Sequence, residues 1–145
     1  MEGASMSKQV FINFPVNDLA KSVAFYEALG FTKNEMFSDE RGAAQQWSDD
    51  IVFMLLTREF YGQFLRGKTV ANTQDTSGAL VALSMDSREA VQGFADTAKQ
   101  NGGDWFMAAP NEGMDGMFGL EVQDLDGNTL EPMWMDMSFD PQHAE

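Results

Sequence analysis

Apolar and polar residues follow two different periods along this chain, and the change from one period to the other occurs twice. A β-rich run at 10–16 precedes a stretch at 19–29 whose apolar residues fall on one helical stripe. Asp18 is placed to cap this helix at its N-terminus, and Gly30 is placed to end it. The first part of the chain therefore predicts a strand, a capped helix and a glycine, in that order.

The same order returns in the second half of the chain. Residues 78–85 predict a strand, Asp86 and Ser87 offer a helix N-cap, and Gly102 follows the predicted helix at 88–100. The residues of this helix that we expect to face inward are Val91, Phe94, Ala95 and Ala98. After each helix the pattern predicts three more strands, at 34–37, 43–48 and 51–57, and then at 104–108, 117–123 and 129–134. These elements predict an α+β fold built from two βαβββ modules.

The modules are predicted to occupy 6–57 and 78–136 and to form one structural domain. Segment 58–77 is interpreted as a linker with a short helix, residues 1–5 as a leader outside the fold, and 137–145 as a polar tail. No apolar run approaches the roughly 18 residues that a transmembrane helix needs. The chain also starts without the basic and apolar regions of a secretory signal. We therefore expect a cytoplasmic protein that does not bind membranes.

Composition and net charge exclude several classes of binding partner and of chemistry. The formal net charge is −14 and the isoelectric point is near 4.2. Such a chain repels the phosphate backbone, so we expect no nucleic-acid partner. The absence of cysteine excludes disulfides and thiolate chemistry. Eleven methionines and twelve phenylalanines fit either ordinary core packing or an adaptable ligand pocket.

Two stretches of sequence point to a family. Residues 16–31, VNDLAKSVAFYEALGF, resemble the opening strand-to-helix signature of the vicinal oxygen chelate superfamily, and 124–131, DLDGNTLE, resemble its closing motif. This superfamily includes glyoxalases, bleomycin resistance proteins and dioxygenases, and the chain is also similar to its predicted lactoylglutathione lyases. The resemblance implies curled sheets that form half-barrels with a cup between them, and a homodimer that binds a small-molecule ligand.

The resemblance also implies where a metal would be held. In the metalloenzymes of the family, side chains on four strands bind a divalent cation, and the matching positions here are Phe11, Met54, Leu80 and Glu131. Only Glu131 offers a donor suited to a hard cation, whereas catalytic zinc sites typically have three protein ligands. The one histidine, His143, lies in the polar tail. We therefore expect no divalent metal, no other cofactor and no metal-dependent glyoxalase I activity.

Strand alternation predicts which other residues share a face with these four positions. The predicted lining of the cup is Phe11, Asn13, Val52, Met54, Leu56, Leu80, Ala82, Glu131 and Met133, with Trp47 from a neighbouring strand and either Gly119 or Glu121. The opposite faces, with Val10, Ile12 and Phe14 and with Val81, Leu83 and Met85, are expected to lie under the helices. Phe60 and Tyr61 in the linker either pack in the core or cover the cup as a lid.

Glu131 is then the one carboxylate in an apolar pocket, where it can act as a general base, pair with a cationic ligand, or hydrogen-bond internally. The pattern favours a bleomycin-resistance-like protein that binds a small aromatic or cationic amphipathic molecule without metal. One alternative is a lyase or isomerase of the lactoylglutathione lyase type, with Glu131 as base or residual metal ligand. The other is a non-catalytic dimerising module with Trp134, Met135 and Met137 at an exposed edge.

Overall fold

The computed structural model describes residues 7–138 of the chain. The first module contains β1 (Val10–Val16), α1 (Leu19–Ala28), β2 (Thr32–Asn34), β3 (Gly42–Gln46), β4 (Ile51–Thr57) and α2 (Arg58–Gly62). The second contains β5 (Leu80–Ser84), α3 (Arg88–Gln100), β6 (Asp104–Phe106), β7 (Met117–Gly119), β8 (Glu121–Gln123) and β9 (Thr129–Met135). Short 3₁₀ helices lie at Glu35–Phe37 and Ala109–Asn111. The α+β class and the two βαβββ modules are confirmed.

The chain divides into two compact units between Val70 and Ala71. The predicted linker at 58–77 is therefore shared between the units, and its expected short helix is α2, which belongs to the first. The single domain and the shared cup stay predictions. Within 7–138, no helix combines the length and the apolar character that a bilayer crossing requires.

The first sheet has the strand order β1-β4-β3-β2, with β1 and β4 parallel and the other pairs antiparallel. Its core lies on the face under α1, where Tyr26 packs against Phe31 and Phe53 at ring-centroid distances of 5.1 and 6.0 Å. Asp18 caps α1 by accepting a hydrogen bond from the Lys21 backbone N–H at 3.1 Å, as predicted. The aromatic cluster buries the apolar stripe of α1 against the sheet.

The second sheet has the order β5-β9-β8-β6, and β7 also pairs with β9. Ser87 caps α3, and the four residues predicted to face inward from this helix are all buried. The Arg88 guanidinium lies 4.9 Å from the Trp134 ring centroid and 5.7 Å from that of Phe118. Trp134 is half-buried, so the prediction that it is exposed is wrong, whereas Met135 and Met137 are exposed as expected.

Three predicted strands differ from the structure. The strand expected at 34–37 ends at Asn34, whose side-chain oxygen accepts a hydrogen bond from the Met36 N–H at 3.1 Å and so starts the 3₁₀ helix. The strand expected at 104–108 ends at Phe106, before a second 3₁₀ helix that contains Pro110. The strand expected at 117–123 is interrupted at Leu120, although both of its parts pair with β9.

The acidic loop between β8 and β9 is held by its own hydrogen bonds. The buried Asp124 carboxylate accepts hydrogen bonds from the Asp126 N–H, the Asn128 N–H and the Asn128 amide, at 2.9 to 3.0 Å. The Thr73 hydroxyl donates to the Asp126 carbonyl, and the Gln74 amide donates to the Leu125 carbonyl at 3.2 Å. The closing motif of the sequence therefore shapes a turn and anchors the segment that leads into the second module.

Gln45 is fully buried on the helix-facing side of β3, opposite Phe53. Neither polar atom of its amide finds a hydrogen-bond partner within the described residues. Gln45→Met removes this unsatisfied amide with little change in side-chain length, so we expect it to raise the free energy of unfolding by about 1 kcal/mol or more. Urea denaturation measures the effect, with Gln46→Met on the other face as control. A less stable Gln45→Met protein would contradict the prediction.

Candidate functional site

The face of the first sheet that points away from α1 carries most of the predicted first-module site. The parallel pairing of β1 with β4 places Phe11 beside Val52 and Asn13 beside Met54, and β3 adds Ala44 beside Met54. Val10, Ile12 and Phe14 alternate to the helix side, as predicted. Phe11 is 53% exposed, so an aromatic ring stands on this open face.

A hollow of about 480 Å³ lies where α2 meets this face, and we call it the α2 hollow. Its lining residues are Asn13, Met54, Leu56, Phe60, Tyr61, Phe64 and Leu65. Thr57 caps α2 by accepting from the Phe60 N–H at 3.2 Å, and the Arg41 guanidinium lies 4.6 Å from the Phe60 ring centroid. The structure therefore brings Phe60 and Tyr61 to the same hollow as Asn13 and Met54.

A second hollow of about 470 Å³ lies next to β2 on the same face, and we call it the β2 hollow. Its lining residues are Gln9, Phe11, Asn34, Phe37, Ala44, Gln46, Val52 and Met54. Met54 lines both hollows, so the two adjoin. Phe37 was not among the predicted site residues, because the β-rich pattern placed 34–37 in a strand, whereas the turn that starts at Asn34 brings Phe37 to this hollow.

Trp47 does not belong to this face, and its assignment to the predicted pocket is wrong. Its ring packs 4.9 Å from Phe31, which in turn packs 4.9 Å from Phe53 on the helix side of the sheet. The reason is the register of β3, since Gln45 pairs with Phe53 and alternation carries Trp47 to the same side.

Within the second module, one row of residues crosses the sheet on the face away from α3. Ala82 pairs with Glu131, and Phe106 pairs with Glu121. Glu121 falls opposite Glu131 because the next residues along, Val122 and Leu130, are paired. The row is therefore Ala82, Glu131, Glu121 and Phe106. The other predicted residues of this module, Leu80 and Met133, lie on the same face.

Burial changes the acidity of one carboxyl group in this row, that of Glu121. The Glu121 side chain is only 6% exposed, and desolvation, together with a hydrogen bond and charge repulsion from Glu131, raises its pKa from 4.5 to about 7. The Asn111 amide donates to Glu121 Oε1 at 3.4 Å and opposes that rise. Glu121 Oε2 finds no hydrogen-bond partner among the described residues, so this buried oxygen is left unsatisfied.

Glu131 is therefore not the lone carboxylate that the sequence analysis predicted. Glu121 was predicted only as an alternative to Gly119, although the position of the hairpin turn in the sequence indicates that Glu121 lies opposite Glu131. A turn centred on Asp126 places residues 121 and 131 at equal distances along the two strands, and hence directly opposite each other.

The metal that the resemblance implies does not fit these residues. Phe11 and Leu80 are 53% and 60% exposed at their positions, and both present hydrocarbon where a ligand is needed. Met54 offers a thioether, a poor donor for a hard cation. No group of three or more histidine, aspartate or glutamate side chains that could hold a metal occurs in 7–138, and His143 lies outside those residues. We therefore derive no chemistry through a metal.

Comparison with solved structures shows the fold. The hypothetical protein SA1046 from S. aureus is 22% identical, with a TM-score of 0.72 and coverage of 90% of this chain and 95% of that chain. A glyoxalase/bleomycin resistance protein/dioxygenase family enzyme from Burkholderia phytofirmans PsJN is 16% identical, with a TM-score of 0.71 and coverage of 89% and 99%. A glyoxalase-related enzyme from Fulvimarina pelagi is 20% identical, with a TM-score of 0.66 and coverage of 89% and 88%.

A search of curated proteins gives no match. The family model described as "Glyoxalase/Bleomycin resistance protein/Dioxygenase superfamily" matches residues 8–131. That match spans both modules, from before β1 into β9. The chain therefore belongs to the glyoxalase/bleomycin resistance protein/dioxygenase superfamily.

Proposed function

We propose that the protein binds a small aromatic or cationic amphipathic molecule, without a metal, on the open face of the first sheet. One observation carries the proposal: Phe11 and Met54, at positions where a metalloenzyme of this family would need donors, line two adjoining hollows. Each hollow has a volume within the range of about 300–1,000 Å³ that is typical of small-molecule sites.

The chemistry of the lining supports this ligand class. Phe60 and Tyr61 line the α2 hollow, and Phe11 and Phe37 line the β2 hollow. The flexible Met54 side chain lines both and can adapt to ligands of different shapes. Asn13 supplies an amide beside these apolar groups and can orient a polar substituent. The net charge of −14 raises the local concentration of cations and disfavours anionic ligands.

A thermal-shift panel of aromatic and cationic amphipathic molecules at low salt tests the proposal. We expect members of the panel to raise the melting temperature of the protein, with cations more effective than anions of similar shape. If no member of the panel raises it, the proposal fails.

Met54→Ala should weaken binding of the best ligand roughly tenfold, because Met54 contacts both hollows and a buried methylene group contributes about 0.8 kcal/mol. Isothermal titration calorimetry measures the change. Met114→Ala, which truncates an exposed methionine in the second module, is the matched control and should bind as the unsubstituted protein does. Equal affinities for Met54→Ala and the unsubstituted protein would place the ligand elsewhere.

The Glu121–Glu131 pair favours a second candidate function, a lyase or isomerase of the lactoylglutathione lyase type. A carboxylate beside a carboxyl whose pKa is about 7 is suited to moving a proton near neutral pH, with Glu131 as the base. The assay is turnover of the methylglyoxal–glutathione adduct, with and without nickel, zinc or manganese. Metal-dependent turnover that Glu131→Gln abolishes would replace the binding proposal with this one.

A homodimer is the remaining proposal, as the exposed Met135 and Met137 at the end of β9 offer apolar surface for it. Sedimentation at several protein concentrations tests it. A single monomeric species at all concentrations would overturn it.

A further inference from the structure

The carboxyl pair of the second module lies among apolar groups on an exposed sheet face. Ala82 is at one end of its row and Phe106, which is 50% exposed, is at the other. Leu80, in the neighbouring row, is also largely exposed. The row therefore holds two acidic groups, of which Glu121 is buried, with apolar side chains on both sides of them.

Glu121 is the unusual member of the pair. More than nine-tenths of this residue is buried, yet its Oε2 atom has no hydrogen-bond partner among the described residues. The neighbouring Asn111 presents its NH₂ group to Oε1. A buried carboxylate gains most from a ligand that brings several N–H donors and a positive charge.

The remaining charged groups near this face do not satisfy the pair. Asp104, one row away on β6, pairs with Lys99 at 3.3 Å. Arg88 stacks on Trp134 and Phe118, which belong to the opposite face. Glu112 and Asp115 follow Asn111 in the chain and add negative charge. The groups that act on Glu121 are Glu131 and Asn111.

An organic ammonium group fits this arrangement better than a divalent cation. Two carboxylates fall short of the three protein ligands typical of a catalytic zinc site, and the Asn111 amide faces Glu121 as a donor and not as an acceptor. An ammonium carries three N–H donors that two carboxylates can accept, and its carbon substituent can lie against Phe106 or Leu80.

We propose that Glu121 and Glu131 together bind the cationic head of an alkyl- or arylammonium molecule, whose apolar part lies against the exposed Phe106 and Leu80. Glu121 is thereby assigned as a ligand-binding residue of the second module. The inference goes beyond the proposed function and does not rest on the first-module hollows.

Benzylammonium tests this proposal, with benzyl alcohol as a neutral probe of nearly the same shape. Titration calorimetry at pH 8 should show benzylammonium binding at least about tenfold more tightly than benzyl alcohol, and a loss of about tenfold or more in Glu121→Gln and in Glu131→Gln. Glu112→Gln makes the same charge change in an exposed loop and should alter the affinity less than about twofold.

Three results would overturn the proposal. The first is equal binding of benzylammonium and benzyl alcohol to the unsubstituted protein, a measurement that does not depend on whether a variant folds. The second is an affinity in Glu121→Gln and Glu131→Gln as high as in Glu112→Gln. Displacement of benzylammonium by micromolar Zn²⁺ or Ni²⁺ would also overturn it, by showing a metal site. Loss of binding in Met54→Ala tests the first-module hollows, whereas loss of benzylammonium binding in Glu121→Gln and Glu131→Gln tests this pair, so the two proposals fail separately.

Discussion

Glu121→Gln is expected to make the protein more stable than the unsubstituted chain at pH 8, and about equally stable at pH 5. The pKa of Glu121 is about 7 in the folded protein and 4.5 in the absence of burial. Between these values the folded state holds a proton that the unfolded state has released, so the free energy of unfolding falls as the pH rises. The free energy of unfolding falls by about 1.4 kcal/mol for each pH unit between these two values, so the total loss at pH 8 is up to about 3 kcal/mol.

The glutamine variant has no proton to lose, and its amide can donate to the Glu131 carboxylate while its oxygen still accepts from Asn111. Urea denaturation at a series of pH values from 5 to 8 measures the difference between the two proteins. Glu112→Gln, in the exposed loop, should follow the unsubstituted protein at every pH. A Glu121→Gln protein with the same pH dependence as the unsubstituted chain would show that Glu121 ionises normally.

Gly127→Ala is expected to destabilise the protein by about 3 kcal/mol or more. Gly127 has a φ of +88°, and a Cβ atom there would overlap the Thr73 carbonyl oxygen. Because the obstacle is backbone, one of the two segments has to move. That movement breaks the hydrogen bonds from Thr73 to the Asp126 carbonyl and from Gln74 to the Leu125 carbonyl.

Gly30→Ala is the matched control, because Gly30 has a φ of +103° but no atom within 4 Å of an added Cβ. It should cost only the left-handed backbone penalty of about 1 kcal/mol. Thermal and urea unfolding of both variants separate the steric effect from the conformational one. Equal losses of stability would show that the contact between Thr73 and the loop contributes nothing.

Local sequence patterns predicted most of the fold because the interactions behind them are local. Ser87 bonds to a backbone group three residues along, and the stripe from Val91 to Ala98 repeats at the helical period. The missed 3₁₀ helix after Asn34 also has a local cause, a side chain that bonds to the backbone two residues on. Its signal competed with a β-rich pattern and was given too little weight.

The candidate site was predictable only in part. Alternation along β1 and β4 correctly grouped Phe11, Asn13, Val52 and Met54 on one face. Trp47 was assigned to the wrong side because its side depends on how β3 pairs with β4, and a register one residue different reverses every side chain. The pairing of Glu121 with Glu131 depends in the same way on the hairpin register.

The sequence by itself determined the two modules, their caps and helices, and the hydrocarbon at Phe11 and Leu80, two positions that offer no donor to a hard cation. These properties follow from residue type and from contacts within a few residues. Tertiary structure decided where Phe37 and Trp47 lie and raised the pKa of Glu121, because burial and strand register join residues that are distant in the chain. What the second module can bind was therefore decided by its fold.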